Sequence, residues 1–292
     1  MGEGYQEKIT RLEAMLQEMG SVLVAFSGGV DSSVLLAMAA RTLGNNVLAV
    51  TAVSETYLPE ELVVAQELAA ALAVSLEVIE TMELTIPGFA ENPPERCYYC
   101  KQELFGKLNS LAAQRGLAFV ADGSNVDDTG DWRPGTKAAC ELGVRSPLKD
   151  AGFSKADVRQ LARELGLKNW DKPAMACLSS RFPYGQAITG EKVEQVAAAE
   201  RYLRSLGFVQ LRVRHHGDTA RLELPVDRLS DAVAFAPQIV SLFKQLGFTY
   251  ISLDLAGYRS GSMNEVLETV ASLSERAKSV ELRERLAGES KM

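Results

Sequence analysis

The stretch Val22-Leu23-Val24-Ala25-Phe26, then Ser27-Gly28-Gly29-Val30-Asp31-Ser32-Ser33, then an apolar run from Val34 to Leu43, reads as strand, tight turn and helix N-terminus. Such a turn is an anion site. Its glycines let the main chain approach a ligand with no Cβ in the way. The open N–H groups of the helix start and the hydroxyls of Ser27, Ser32 and Ser33 can face phosphate oxygens. Asp31 is expected to cap the helix or to hold a magnesium ion. The spacing fits neither a Walker loop nor a GxGxxG fingerprint. The competing reading is an ordinary capped turn. Ser before the glycine pair and Asp-Ser after it, at the carboxyl end of a first strand, favour the phosphate site.

Cys97-Tyr98-Tyr99-Cys100 brings two thiols to one side of a helix start, where the helix dipole is expected to ease thiolate formation. A redox pair, half a metal site and chance compete as readings. A redox CxxC usually follows the first strand of a thioredoxin-like domain, which this one does not. Metal ligation needs a further cysteine, and Cys177, in the turn-rich stretch from Ala176 to Gly185, can supply it. Cys97, Cys100 and Cys177 would suffice for a [4Fe-4S] cluster with one iron open. Zinc would want a fourth protein ligand or a water. Cys140, beside Ala138 and Ala139, is expected to be a small core residue.

Arg212 and Arg214 alternate along a predicted strand, so both guanidinium groups share a face. Side by side they need an anion or acids between them, and a forked donor suits phosphate. Ser180, Arg181 and Arg259 could complete that pocket. The alternative is a solvated sheet face neutralised by Glu223. Glu200 and Asp231 fall on predicted helices, where solvated carboxylates are the default. His215 and His216, in a hairpin turn, are weak candidates.

Strands and helices must position these groups. Residues 5–19 form a leading helix, and strand 1 and the phosphate turn follow. Residues 46–53 are a second strand ending at Ser54, where an adenosine could lie, and Pro59 opens a helix running to Ala73. Residues 75–79 are a third strand, 98–115 a helix, and 117–121 a fourth strand ending in Asp122-Gly123-Ser124-Asn125. Strands alternating with helices predict a doubly wound, mostly parallel α/β sheet, with Ser27–Ser33, Ser54 and Asp122–Asn125 converging at the strands' carboxyl ends. Asp127, Asp128, Asp131, Arg133, Pro134 and Gly135 read as a polar loop, and Ser154, with Asp157, caps a helix to Leu165. Beyond residue 181 the pattern changes. A helix over 191–206, strands over 209–214 and 219–224, a helix over 229–246 and a strand over 249–253 predict a smaller α+β domain, 182–292, beside a first domain of 1–181. Its tail, 264–292, is expected to be exposed helix.

At 292 residues, 47% hydrophobic and 24% charged, the chain has the composition of a soluble globular protein with room for two domains. A net charge of −7 speaks against a broad nucleic-acid surface but not against a local basic pocket. The N-terminal residues show no basic and apolar leader and no apolar run approaches about 20 residues, so a cytoplasmic protein without a membrane partner is expected. Four cysteines then read as reduced thiols or metal ligands.

SGGVDS at 27–32 resembles the pyrophosphate loop of the ATP pyrophosphatase superfamily. Together with Tyr98-Tyr99 before Lys101, Arg133-Pro134-Gly135, SSRFPYG at 179–185, AAERYLRSLGF at 198–208, RVR at 212–214 and LDLAGYRSG at 253–261, it resembles the LarE family over nearly the whole chain. These are ATP-dependent sulfur transferases of nickel-pincer nucleotide biosynthesis, serving lactate racemase. The resemblance implies that Mg-ATP adenylates a carboxylate of pyridinium-3,5-biscarboxylic acid mononucleotide, that pyrophosphate leaves, and that sulfur displaces AMP. ATP would lie on Ser27, Gly28, Gly29, Val30, Asp31, Ser32, Ser54, Asp122 and Gly123. Ser180, Arg212 and Arg214 would hold the substrate's phosphate, with Glu200 and Asp231 near the sulfur donor. The sacrificial branch of the family carries its donor cysteine at the position of Ala176, with Trp and Ala at 97 and 100. Cys97, Cys100 and Cys177 instead resemble the three-cysteine branch, in which a [4Fe-4S] cluster delivers the sulfur. The resemblance also implies a homo-oligomer and hand-off to a nickel insertase. A cluster-dependent tRNA thiolase and a noncatalytic nucleotide-binding module are the alternatives, the first disfavoured by the acidic charge.

Overall fold

A computed structural model describes residues 3–130, 134–173, 176–259 and 261–267. Asp131 and Arg133 of the expected polar loop, and 268–292 of the expected tail, lie outside the described residues. The chain divides into two compact units, Met1–Tyr202 and Leu203–Met292, with the division inside the helix that follows Thr189.

In the first unit, α1 (Glu3–Met19) leads into β1 (Val22–Ala25), α2 (Val30–Leu43), β2 (Val47–Val53), α3 (Pro59–Ala71), β3 (Ser75–Glu80), α4 (Arg96–Arg115) and β4 (Phe119–Ala121). The four strands pair in parallel in the order β3-β2-β1-β4. This is the doubly wound α/β arrangement that the alternating pattern predicts. Val22, Leu23 and Val24 of β1 have no exposed surface. Leu12, Leu16, Leu35 and Phe153 belong to a core cluster on one side of the sheet, and Phe105 and Leu108 pack with Leu23, Val50 and Val120 on the other. Each such aliphatic or aromatic side chain contributes roughly 1.5–3 kcal/mol by leaving water. The chain moves outward from β1 through β2 to β3, then returns past β1 to place β4. The carboxyl ends of β1 and β4 therefore flank a topological switch point, where open α/β sheets bind ligands.

After β4 come α5 (Pro134–Glu141), α6 (Pro147–Asp150), α7 (Lys155–Glu164) and α8 (Gly190–Ser205). Pro134 and Gly135, expected in a loop, open α5 instead, because proline loses nothing at a first helical position. Cys140 is exposed, which corrects the core assignment. Ala138 and Ala139 take the buried face of this short helix, and the next position turns outward. The cap of α7 forms as expected: Ser154 Oγ accepts from Asp157 N at 3.2 Å, and Asp157 Oδ2 accepts from Ser154 N at 2.9 Å.

In the second unit, β5 (Arg212–His216) and β6 (Thr219–Glu223) form an antiparallel hairpin, and β7 (Tyr250–Leu253) joins β6 in parallel. The expected helix over 229–246 is two, α9 (Leu229–Ala234) and α10 (Ala236–Gln245). Pro237 lies at the start of the second and cannot donate the bond that would continue the first. His215, 2% exposed, packs against Phe248 at 5.4 Å between ring centroids. Among the described residues no helix is long and apolar enough to cross a membrane.

Candidate active site

The turn after β1 is built from its own hydroxyls. Ser27 Oγ accepts from Gly29 N at 3.3 Å, and Ser32 Oγ accepts from Ser27 N at 3.3 Å and donates to Gly29 O at 3.2 Å. Gly28 has φ +70°, and a Cβ there would meet Ala65 of α3 at 3.4 Å. Asn169 Nδ2 donates to Gly28 O at 3.2 Å and to Ser33 Oγ at 3.0 Å, while Lys172 Nζ pairs with Glu61 beside the same carbonyl. Gly29, not Asp31, is the N-cap of α2, and no side chain caps it. Asp31 instead stands in the first turn, where Asn125 Nδ2 donates to it at 2.8 Å; burial pushes its carboxyl above the usual range, against that hydrogen bond.

The end of β4 meets this turn directly. A Cβ at Gly123 would lie 2.8 Å from Ser32 N, so only glycine lets the two segments approach. Asp122 is held by Ser146 Oγ at 2.7 Å and Ser124 Oγ at 2.9 Å. Asp122, Gly123 and Asn125 thus gather at the phosphate turn as the topology predicts. Asp31 and Asp122 supply the carboxylate chemistry that a magnesium ion accompanying ATP would use.

Cys97 stands in the first turn of α4 and Cys100 at the start of the second. Neither thiol is eased toward thiolate, contrary to the helix-dipole expectation. Burial, then Cys177 and Glu83, push Cys97 up and outweigh Arg96 and Lys101. Burial, then Glu83, push Cys100 higher, and Cys100 Sγ donates to Glu83 Oε1 at 3.0 Å. Cys177 is an electrostatic neighbour of both. Among the described residues no three His, Cys, Asp or Glu side chains close on a single ion. A [4Fe-4S] cluster spreads its protein sulfurs over separate irons and takes cysteine thiols as donors, the donor type that Cys97, Cys100 and Cys177 offer.

What carries Cys177 there is a set of backbone bonds from distant segments. Leu178 N donates to Thr56 O at 3.2 Å, and Asn92 Nδ2 donates to Phe182 O at 3.1 Å and Pro183 O at 2.7 Å. Asn92 also accepts from Arg96, in the turn that bears Cys97. A chain of side chains, Ser54 to Thr56 to Glu83 to Cys100, links the end of β2 to the thiols.

Arg181 has no exposed surface. Its Nε and Nη2 donate to Glu200 at 2.8 and 2.9 Å, and its Nη1 donates to Ala176 O, Cys177 O and Ser180 Oγ. The expectation that it binds a phosphate is corrected: its fork is occupied inside the protein. Glu200 is fully buried with it, so the solvated default does not hold.

In the second unit, Arg212 lies opposite Glu223 and Arg214 opposite Arg221, all on one sheet face. Arg212 and Arg214 are each 6% exposed, so this face is not the solvated one of the alternative reading. Glu223, fully buried, accepts from Arg214 Nη2 at 2.7 Å and Arg221 Nη2 at 2.8 Å, and Arg212 lies over the Tyr258 ring. Arg259 pairs with Glu265 at 2.9 Å, and Asp231 on α9 pairs with Arg228.

An asparagine synthase family profile matches residues 12–105, the segment from α1 through the thiol-bearing turn. A pyridinium-3,5-bisthiocarboxylic acid mononucleotide synthase from Lactiplantibacillus plantarum is 46% identical over 261 residues, 89% of this chain and 95% of that protein. This chain belongs to the LarE family. An uncharacterized protein from Synechocystis is 46% identical over 90% of this chain and 98% of its own length. Another from Methanocaldococcus jannaschii is 30% identical over 88% of this chain and 99% of its own.

Several residues of this LarE site are absent from its sequence motifs. Glu83, Thr56, Asn92, Asn169 and Lys172 each reach the turn or the thiol-bearing segments from a stretch with no motif of its own, and Arg221 joins the arginine face of the second unit in the same way. The one signal available for Asn92 is its positive φ of 57°, a conformation that Asn tolerates and that no sequence pattern announces. For Arg221 the signal was alternation: it shares the Arg214 face of the hairpin.

Proposed function

We propose that this LarE protein adenylates a carboxylate of pyridinium-3,5-biscarboxylic acid mononucleotide with ATP and converts it to a thiocarboxylate, with sulfur drawn from a [4Fe-4S] cluster on Cys97, Cys100 and Cys177. The observation that carries it is the 46% identity, over 95% of its length, to a relative named as a synthase of the bisthiocarboxylic product.

The chemistry follows from the residues. The substrate carboxylate attacks the α-phosphorus of ATP, and the bond to the β-phosphate oxygen breaks. Main-chain N–H groups at Gly28 and Gly29 and the Ser27 and Ser32 hydroxyls take up the pyrophosphate charge where it develops. Val30 opens the helix behind them, and Ser54 borders the nucleoside. Asp31 and Asp122 would hold the magnesium ion, with Gly123 leaving room for the phosphates. Arg212 and Arg214 of the second unit would bind the substrate's phosphate through charge-assisted hydrogen bonds. A cluster held by Cys97, Cys100 and Cys177 would supply the sulfur nucleophile that the acyl adenylate needs, with AMP as the leaving group. Glu83 and the Asn92 and Thr56 backbone contacts keep the thiols turned toward one region. The same reading includes a homo-oligomer in the cytoplasm that hands its product to a nickel insertase.

Anaerobically purified and reconstituted protein tests this. Pyrophosphate, AMP and thiocarboxylate are expected in step when ATP, magnesium and the pyridinium mononucleotide are supplied, along with bound iron and acid-labile sulfide. No pyrophosphate with that substrate present points to a noncatalytic nucleotide-binding module. Pyrophosphate with a thiocarboxylate product, but no iron or sulfide after reconstitution, refutes the cluster.

A further inference from the structure

We propose that the buried Arg181–Glu200 pair is a clamp that fixes the Cys177 turn for sulfur delivery, a positioning role that rests on the sulfur-transfer reading above. Both side chains are fully buried, and taking two opposite charges out of water is costly. An apolar pair of similar volume would fill the space at least as well, so packing alone does not explain an ion pair here.

The directional content of the pair does. Glu200 takes Nε and Nη2 in a two-point contact at 2.8 and 2.9 Å, which fixes the plane of the guanidinium. With that plane fixed, Nη1 is aimed at the carbonyl oxygens of Ala176 at 2.7 Å and Cys177 at 3.0 Å, and at Ser180 Oγ at 2.9 Å. Cys177 O also accepts from Ser180 N at 3.0 Å and from Ser180 Oγ at 2.9 Å. The Cys177 carbonyl is therefore pinned by three donors, Leu178 N of the same peptide group is bonded to Thr56 O, and the preceding peptide group is held at Ala176 O by Arg181. With backbone held on both sides, at φ −55° and ψ 154°, the direction of the Cys177 side chain is set by chain geometry and not by burial of the residue, which is exposed. A lysine at 181 could keep the charge but not the fork, since a single ammonium cannot span Glu200 and both carbonyls.

The test uses the full chain, handled anaerobically, as Arg181→Lys and as the double variant Arg181→Met with Glu200→Leu. The double variant removes both charges together, which avoids stranding one of them. Three readouts are taken: ATP–pyrophosphate exchange with the pyridinium substrate, thiocarboxylate formation, and peptide-mapped alkylation of Cys177 and Cys140 in cluster-free protein. The clamp predicts exchange near the wild-type rate and thiocarboxylate formation reduced about tenfold or more, the scale of one charge-assisted hydrogen bond. It also predicts an altered Cys177 alkylation rate with Cys140 unchanged. Transfer and Cys177 alkylation at wild-type rates in both variants overturn it, as does a parallel loss of exchange and transfer. A wild-type protein that forms no thiocarboxylate, while Cys177 alkylation still changes in the variants, refutes the sulfur-transfer reading and supports the clamp.

Discussion

At Gly123 a single methyl group would be too much. The added carbon would stand 2.8 Å from Ser32 N and 3.0 Å from the Asp31 carbonyl carbon, both backbone atoms that cannot swing away. Gly123→Ala is expected to push β4 off the phosphate turn and lower pyrophosphate formation about 100-fold, the loss that a displacement of about 1 Å produces at a reacting centre. A pyrophosphate-release assay on folded variant decides it, and an unaffected rate would mean that the two segments can part without harm. Glu223 illustrates a different dependence. It is fully buried and shared by Arg214 and Arg221, so Glu223→Gln is expected to cost about 3 kcal/mol by stranding arginine charge. Thermal melts should recover part of that loss in added phosphate, with a larger gain in the variant than in the wild type. The serine, glycine and cysteine positions of the site were legible because each is unusual in its local pattern. Glu83 was not: a glutamate in a short turn is ordinary until folding buries it against Cys100.

The elements themselves were largely written in hydrophobic periodicity. Val22–Ala25 and Val47–Val53 are largely apolar runs rich in valine, and Ser154 with Asp157 announces the start of α7. Where the reading failed, a local rule had two outcomes. Pro134 can end a loop or open a helix, and Pro237 can sit inside a first turn or split a long helix; tertiary packing chose in both cases. The α7 cap offers a test at this scale. Ser154→Ala is expected to cost about 1 kcal/mol. Burial opposes the charge on Asp157, but Lys8 at 2.7 Å and the Ser154 bonds hold its carboxyl below the ordinary 3.8. A depressed carboxyl contributes stability that is fully present above its unfolded value and is lost as pH falls through the folded one. Asp157→Asn should therefore lower the melting temperature at neutral pH, and the difference from wild type should shrink below pH 3.8. A difference that persists unchanged in acid would place the effect in packing.

For the whole molecule, the sheet order β3-β2-β1-β4 puts a phosphate turn at the switch point, and Cys97, Cys100 and Cys177 all belong to that same unit. The second unit carries the arginine face. On the proposed reading, three thiols in place of one donor cysteine would make the sulfur source reusable and not consumed. The most direct measurement counts thiocarboxylate product per subunit in an anaerobic, sulfide-fed reaction and then weighs the protein by mass spectrometry. The account predicts several products per subunit with Cys97, Cys100 and Cys177 intact, and loss of turnover in Cys177→Ala. No more than one product per subunit, with a cysteine converted to dehydroalanine, would contradict it.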